Sequence, residues 1–271
     1  MSKSTTRRPR AYEDQNFLHS PGARALRILS EYIEPNNRFK HYRIEDTIIF
    51  FGSARILPRA AAEEALATAK ANGCDVATAE MNLDLSQYYE ATRELARRLT
   101  EWSKSLEDND RRFVVCSGGG PGIMEAANRG ASEARGINVG LNISLPLEQA
   151  ENPHISRELI FEFHYFFMRK FWFAYLAKAA VVMPGGFGTL DELFEILTLI
   201  QTGKIRKHMP IVLFGTKYWA EVVDFKALER FGTIDATDLN LLFRTDSVDE
   251  AFAYLTEQLR TYALASPGAR L

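Results

Sequence analysis

A glycine-rich stretch followed by two carboxylates is the part of this sequence best equipped for chemistry. Residues 184–192 read Pro-Gly-Gly-Phe-Gly-Thr-Leu-Asp-Glu, between an apolar run at 179–183 and a helical pattern at 193–197. Glycines let the backbone approach a ligand closely, and a helix start offers unpaired N–H groups and partial positive charge, which favour phosphate. Thr189, Asp191 and Glu192 add a hydroxyl and two carboxylates. The stretch predicts an anion site at which acid–base chemistry is also available.

Two further glycine turns follow apolar, strand-like runs. Residues 52–55 follow the run 47–51, and residues 117–122 follow the run 113–116. In a parallel sheet all three turns would lie at the carboxyl ends of strands, where such folds bind ligands, so we expect them to face one crevice. Three such turns together favour a nucleotide or phosphate ester. The sequence lacks Gly-x-x-x-x-Gly-Lys-Ser/Thr and a complete Gly-x-Gly-x-x-Gly pattern, which disfavours a P-loop ATPase and a dinucleotide oxidoreductase.

The elements that must position these turns alternate along the chain. This alternation predicts an α/β fold: a doubly wound, mostly parallel, Rossmann-like sheet with extra peripheral helices. Predicted strands cover residues 47–51, 113–116, 138–143, 159–163, 179–183 and 210–214. Predicted helices cover residues 23–34, ending at Pro35, and 123–135, 165–178, 190–201, 218–230 and 248–262. We expect a flexible basic arm at 1–20, one domain at 21–265 with a helical insertion at about 60–106 broken near Asn72-Gly73, and a tail at 266–271.

The composition is that of an ordinary globular protein. The chain has 271 residues, 46% of them hydrophobic and 25% charged, with a formal net charge of −2, so nothing indicates nucleic-acid binding. Cys74 and Cys116 form no disulfide or metal-ligand framework, which is typical of a reducing compartment. The histidines lack metal-ligand spacing, and we expect no metal. No apolar run reaches the length of a membrane span, so we expect a soluble cytoplasmic protein without membrane partners.

The motifs resemble those of one known family. Residues 184–192 resemble Pro-Gly-Gly-x-Gly-Thr-x-x-Glu of the LONELY GUY (LOG) family, the cytokinin riboside 5'-monophosphate phosphoribohydrolases often mislabelled as lysine decarboxylases. Residues 51–53 resemble the family's first loop, 118–125 its second, and Arg169-Lys170 its Arg-Lys pair, so that roughly residues 47–215 are covered. The resemblance implies that a homodimer or larger homo-oligomer, without a cofactor, hydrolyses the N-glycosidic bond of a nucleoside 5'-monophosphate. The implied substrate is a cytokinin riboside 5'-monophosphate or an AMP-like nucleotide, and the products are free base and ribose 5-phosphate.

The resemblance also implies roles for individual residues. It makes Arg169 and Glu192 the catalytic pair. To the substrate site it assigns these two residues together with Gly52, Ser53, Arg55, Gly118, Gly119, Gly120, Met124, Glu148, Lys170, Pro184, Gly185, Gly186, Phe187, Gly188, Thr189 and Thr198. The chain departs from plant-type members, which have Met-His-x-Arg-Lys where this chain has Phe-Phe-Met-Arg-Lys at residues 166–170.

The chemistry of these residues is consistent with hydrolysis of an N-glycosidic bond, and it leaves other functions open. Cleaving a ribosyl C–N bond builds positive charge on the sugar, which Glu192 could stabilise while it positions or deprotonates water. Arg169 could hold phosphate or ribose oxygens, or orient Glu192. In the simpler interpretation Asp191 and Glu192 only complement the helix dipole, and we favour it for Asp191. Two other classes stay open: a non-catalytic carrier of nucleotides or a pterin-type cofactor, and a pyridoxal phosphate decarboxylase built on Lys170.

Overall fold

A seven-stranded parallel sheet forms the centre of the protein. The computed structural model describes residues 8–106, 110–144 and 152–268. The strands are β1 (Thr47–Phe51), β2 (Val114–Ser117), β3 (Asn138–Ile143), β4 (Ile160–Phe163), β5 (Ala177–Val182), β6 (Ile211–Phe214) and β7 (Leu242–Thr245). They lie in the order β4-β3-β2-β1-β5-β6-β7, and each neighbouring pair is parallel. The predicted doubly wound α/β fold is confirmed.

Helices cover both faces of this sheet. Within the described residues they are α1 (Gln15–Leu18), α2 (Arg24–His41), α3 (Arg59–Asn72), α4 (Val76–Lys104), α5 (Ile123–Glu133), α6 (Phe166–Leu176), α7 (Phe187–Gln201), α8 (Thr216–Val222), α9 (Phe225–Arg230) and α10 (Val248–Tyr262). None of these helices combines the length and apolar character that a membrane crossing requires. The residues of the predicted helical insertion form α3 and α4, which are separated at Gly73, where φ has the left-handed value of 67°.

The side chains on the two faces of β1 belong to two separate hydrophobic cores. All five residues of β1 are buried, as expected for a β-branched and aromatic run in the middle of a parallel sheet. Ile49 and Phe51 join the core under α6 and α7, whereas Ile48 and Phe50 join the core under α4, α5 and α10. The central strands are therefore held from both sides, and their carboxyl ends have fixed positions.

Helix α2 continues through Pro35 to His41, so the prediction that it ends at this proline is wrong. Proline has no N–H, and the carbonyl of Glu31, four residues earlier, loses its helical partner. Trp172 Nε1 donates to that carbonyl at 2.9 Å. The Glu31 carboxylate accepts the backbone N–H groups of His164 and Tyr165 at 2.8 and 3.2 Å, just before α6 begins. Tertiary contacts with α6 thus replace the hydrogen bond that Pro35 removes.

Several other predicted elements have different bounds, and three helices differ most clearly. The helix predicted at 165–178 ends at Leu176, and Ala177 already belongs to β5. The helix predicted at 190–201 begins three residues earlier, at Phe187. The helix predicted at 218–230 is two helices, because the backbone is extended at Val223. The seventh strand, β7, is absent from the prediction.

A buried charge cluster lies at the amino-terminal end of the central strands. The pairing of β1 with β5 shifts register between Thr47 and Ile48, which places Lys178 as the extra residue of a bulge. Lys178 Nζ lies 3.5 Å from Asp46 Oδ1 and donates to the carbonyl of Ser266 at 2.9 Å. Arg112 also pairs with Asp46 and donates to the carbonyls that follow α10. These hydrogen bonds hold the segment after α10 against the amino-terminal end of the sheet. The boundaries given above for the arm, the domain and the tail stay predictions.

Candidate functional site

A pocket of about 750 Å³ opens at the carboxyl ends of β1, β2 and β5. Strands β1 and β5 are neighbours at the switch point of the sheet: β2, β3 and β4 follow on one side of the pair, and β6 and β7 follow on the other. Doubly wound folds bind ligands at such a switch point. Of the residues assigned to the site, twelve line the pocket: Gly52, Ser53, Arg55, Gly118, Met124, Arg169, Gly185, Gly186, Phe187, Gly188, Thr189 and Glu192. All three predicted glycine turns contribute to this one pocket.

The start of α7 supplies the pocket with free backbone donors. Gly186 is the N-cap residue, and no side chain in the described part of the chain caps this helix start. The first N–H bonded within the helix belongs to Leu190, which donates to the carbonyl of Gly186 at 3.0 Å. The N–H groups of the preceding turn therefore have no helical partner, and the helix dipole favours negative charge beside them. This end of the pocket suits a phosphate group.

The second glycine turn makes room for a guanidinium group. A Cβ atom on Gly118 would lie 2.6 Å from Arg169 Nη2 and 2.7 Å from Met124 Sδ. Any larger residue here would push both side chains away. The turn is also bonded to the first one, because the N–H of Ile123 donates to the carbonyl of Ser53 at 3.0 Å. The packing of these turns thus fixes where Arg169 reaches the pocket.

Arg169 is a largely buried cation whose guanidinium group has a hydrogen-bond donor without a partner among the described residues. Burial lowers its pKa, and the negative charges of Glu192 and Glu162 offset only part of that effect. Its Nε is buried without a hydrogen-bond partner among the described residues. An arginine stays protonated in proteins, so its unused donors are available to an anionic or oxygen-rich ligand.

Glu192 is the carboxyl group suited to acid–base chemistry. It lies on α7 one turn after Thr189, and only 7% of it is exposed. Burial raises its pKa to about 7, even though Lys170 and Arg169 act to lower it. A carboxyl with this pKa exchanges protons near neutral pH, as a general acid or base must. The contacts of the described residues include no hydrogen bond between Glu192 and Arg169, so the attraction between them is through space.

Lys170 lies beside the pocket and outside its lining. Its Nζ is 2.8 Å from Asp191 Oδ2 and 2.6 Å from Glu195 Oε2. Burial lowers its pKa, but the hydrogen bonds to Asp191 and Glu195 outweigh that effect and the pKa is raised. A protonated, ion-paired lysine is poorly suited to forming a Schiff base, which counts against the decarboxylase alternative. Asp191, which we expected to be structural, takes part in this ion pair.

The remaining assigned residues lie elsewhere, and their roles stay predictions. Gly119 and Gly120 are buried within the second turn, and Pro184 is buried at the base of the third. Thr198 lines a neighbouring surface depression together with Lys170, and its hydroxyl donates to the carbonyl of Phe194 at 2.7 Å. Glu148 lies outside the described residues.

Sequence reasoning missed several residues of the pocket wall. They are Phe51, Ala54, Phe166, Leu190, Asp191, Tyr218 and Val222. Tyr218 and Val222 lie on α8, which follows the carboxyl end of β6 next to β5. Their position after β6 could have identified them from the sequence, because the loops and helices that follow neighbouring parallel strands lie at one edge of the sheet. No group of three or more His, Cys, Asp or Glu side chains in the described residues could hold a metal ion.

Comparison with known proteins agrees with the motifs. The family model described as "Possible lysine decarboxylase" matches residues 124–255. A probable cytokinin riboside 5'-monophosphate phosphoribohydrolase, LOG4 of Oryza sativa subsp. japonica, is 29% identical over 149 residues, which are 53% of this chain and 62% of that protein. The chain thus spans less than two thirds of that relative.

Solved structures show looser similarity. The structural-genomics target TM1055 is 22% identical with a TM-score of 0.48, covering 78% of this chain and 99% of that one. The molybdenum cofactor carrier protein of Chlamydomonas reinhardtii is 20% identical with a TM-score of 0.46, covering 80% of this chain and 99% of that one. The family model and the Oryza relative confirm the resemblance to the LONELY GUY family that the motifs predict.

Proposed function

We propose that this protein hydrolyses the N-glycosidic bond of nucleoside 5'-monophosphates and releases free base and ribose 5-phosphate. One observation carries the proposal. The buried carboxyl of Glu192, with a pKa of about 7, lies in the same pocket as the uncapped start of α7. The pocket thus combines an acid–base group with a phosphate-binding element. The similarity to the Oryza phosphoribohydrolase supports the same reaction class.

The proposed orientation puts the 5'-phosphate at the start of α7. There it would accept hydrogen bonds from the free N–H groups and from the Thr189 hydroxyl, with the dipole contributing about 0.3–1 kcal/mol. Glu192 follows Thr189 by one helical turn, a rise of about 5 Å. Residues three apart lie on the same helix face, so both side chains can address one ligand. A ribose bound by its phosphate at the helix start would then lie beside Glu192.

In the proposed reaction, water adds to C1' of the ribose as the C–N bond to the base breaks. Positive charge develops on the sugar, and the ionised Glu192 carboxylate stabilises it and accepts a proton from the water. The departing base takes up a proton at its nitrogen. Arg169 holds ribose or phosphate oxygens with its unused donors, which fixes the sugar relative to Glu192.

Apolar side chains supply the remaining wall, where the base would lie. Phe166, Met124, Leu190 and Val222 line this part of the pocket. Phe166 is 52% exposed and Val222 45% exposed, so both present open apolar surface to a ligand. A planar base binds well to such a surface through stacking and exclusion of water.

The direct test is chromatographic detection of free base and ribose 5-phosphate. Wild type and Glu192→Gln are incubated with AMP, GMP, CMP, UMP and isopentenyl-AMP, with adenosine as the matched substrate lacking phosphate. We expect wild type to release base from monophosphates and far more slowly from adenosine. Glu192→Gln should bind nucleotide but lose turnover by orders of magnitude. The control variant Glu257→Gln, at an exposed position of α10, should retain full activity.

The pH dependence gives a second test. If the ionised form of Glu192 is the active one, kcat/KM should rise with pH and level off above about 7, the pKa of Glu192. Equal hydrolysis of adenosine and AMP would contradict the phosphate site. If nucleotides bind but none is cleaved, the pocket instead belongs to a non-catalytic carrier.

The homodimer or larger homo-oligomer implied by the resemblance stays a prediction, as does the cytoplasmic location. Multi-angle light scattering on the full chain tests the first. Fluorescence microscopy of a tagged chain in its own cell tests the second.

A further inference from the structure

A tyrosine outside every recognised motif contacts the phosphate-binding turn. Tyr218 lies on α8 and lines the pocket. Its hydroxyl donates to the carbonyl of Gly185 at 2.9 Å. This contact joins the helix after β6 to the turn after β5. We propose that Tyr218 is a positioning residue that keeps the backbone donors of this turn directed at the anion, an inference that rests on the proposed function.

The backbone of the turn is restrained at two consecutive carbonyls. The carbonyl of Pro184 accepts the N–H of Ser53 at 3.0 Å, and the next carbonyl, that of Gly185, accepts Tyr218. The described chain contains no cis peptide bonds. In a trans peptide the C=O and the following N–H point in opposite directions, so fixing the Gly185 carbonyl also fixes the N–H of Gly186. The two bonds therefore set the direction in which the turn presents its donors.

The peptide held by Tyr218 is the one most in need of a restraint. It joins Gly185 to Gly186, and a peptide between two glycines rotates with little steric resistance because neither side has a Cβ atom. A rotation would turn the Gly185 carbonyl, with its partial negative charge, toward the bound anion. The same rotation would remove the Gly186 N–H from the site. The Tyr218 hydroxyl opposes both changes by binding the carbonyl.

The test is the affinity of the full-length protein for ribose 5-phosphate and for inorganic phosphate, measured by isothermal titration calorimetry. Tyr218→Phe removes the hydroxyl and keeps the ring in the pocket wall. We expect roughly three- to tenfold weaker binding of both anions, the size expected for losing one hydrogen bond. The matched control is Tyr254→Phe on α10, a ring stacked on Phe243 away from the pocket. It should bind both anions as wild type does.

Turnover and amide exchange separate positioning from general damage to the fold. Positioning predicts that Tyr218→Phe raises KM for AMP more than it lowers kcat, with an unchanged melting temperature. Ribose 5-phosphate should also protect the Gly186 amide from hydrogen exchange in wild type and protect it less in the variant. Equal anion affinity in Tyr218→Phe and wild type overturns the inference, as does equal weakening in Tyr254→Phe. Because the binding measurements need no turnover, they decide the role of Tyr218 even if the protein cleaves no nucleotide.

Discussion

Replacing Glu192 with glutamine should stabilise the protein at alkaline pH and leave its stability unchanged in acid. Burial raises the pKa of Glu192 from its ordinary 4.5 to about 7, so the folded protein binds this proton more tightly than the unfolded chain does. The stability gained from the protonated carboxyl is fully present below pH 4.5 and is lost as pH rises to about 7. Above that pH the wild type carries a poorly solvated charge that the variant lacks.

The size of the effect follows from the two pKa values. Each pKa unit is worth about 1.36 kcal/mol, so ionised Glu192 lowers the free energy of unfolding by roughly 3 kcal/mol at pH 8. For a chain of this length each kcal/mol moves the melting temperature by about 2–4 °C. Glu192→Gln should therefore melt several degrees above wild type at pH 8. The two proteins should melt together near pH 4.5.

The assay is urea denaturation of wild type, Glu192→Gln and Glu257→Gln at half-unit steps from pH 4.5 to 8. The difference between Glu192→Gln and wild type should grow with pH and level off above about 7. The difference for Glu257→Gln, whose side chain is exposed, should show no such step. A Glu192→Gln difference that is flat across this range, or that favours wild type more as pH rises, would refute the claim that the buried carboxyl is protonated below neutrality.

Two other predictions concern the backbone and the buried charges. Gly122 has a φ of +69°, and an added Cβ atom would lie 2.4 Å from the carbonyl oxygen of Ser53, so Gly122→Ala should cost roughly 1–3 kcal/mol from backbone strain alone. Gly186→Ala, with a negative φ and open space around its Cβ position, should unfold at nearly the same urea concentration as wild type. Lys178→Met breaks a buried ion pair and the bond to Ser266, and should lower the free energy of unfolding by about 3 kcal/mol, whereas exposed Lys217→Met should leave it unchanged. Equal urea midpoints within either pair of variants would contradict that prediction.

The sequence predicts the central elements best, because their signals are local. The bounds of β1 and β3 agree with the prediction, since buried β-branched and aromatic runs are unambiguous. Helix α2 passes Pro35 because Trp172, far along the chain, satisfies the carbonyl that proline leaves free. Strand β7 has four residues at the edge of the sheet and gives little apolar signal. The prediction thus fails where a contact between residues far apart in the chain decides the local structure, or where a strand is too short to give a clear apolar pattern.

The candidate site shows the same division. The glycine turns are visible as short motifs, and the parallel-sheet rule explains why they share a pocket. The pKa of Glu192 depends on burial, which the sequence does not give directly. The position of Lys170 beside the pocket follows from its pairing with Asp191 and Glu195. Tyr218 belongs to no motif, and the role proposed for it rests on its hydrogen bond to the Gly185 carbonyl.

The placement of the pocket between β1 and β5 determines when it can form during synthesis on the ribosome. Strands β1 to β4 are complete before Ala177 opens β5, and until then apolar β1 is an unprotected edge of a partial sheet. Gly52 and Gly118 come from the first half of the chain, whereas Arg169 and Glu192 come from the second. A nucleotide bound there as proposed would contact both halves, stabilise the junction between β1 and β5, and protect newly made chains from proteases once that junction has closed.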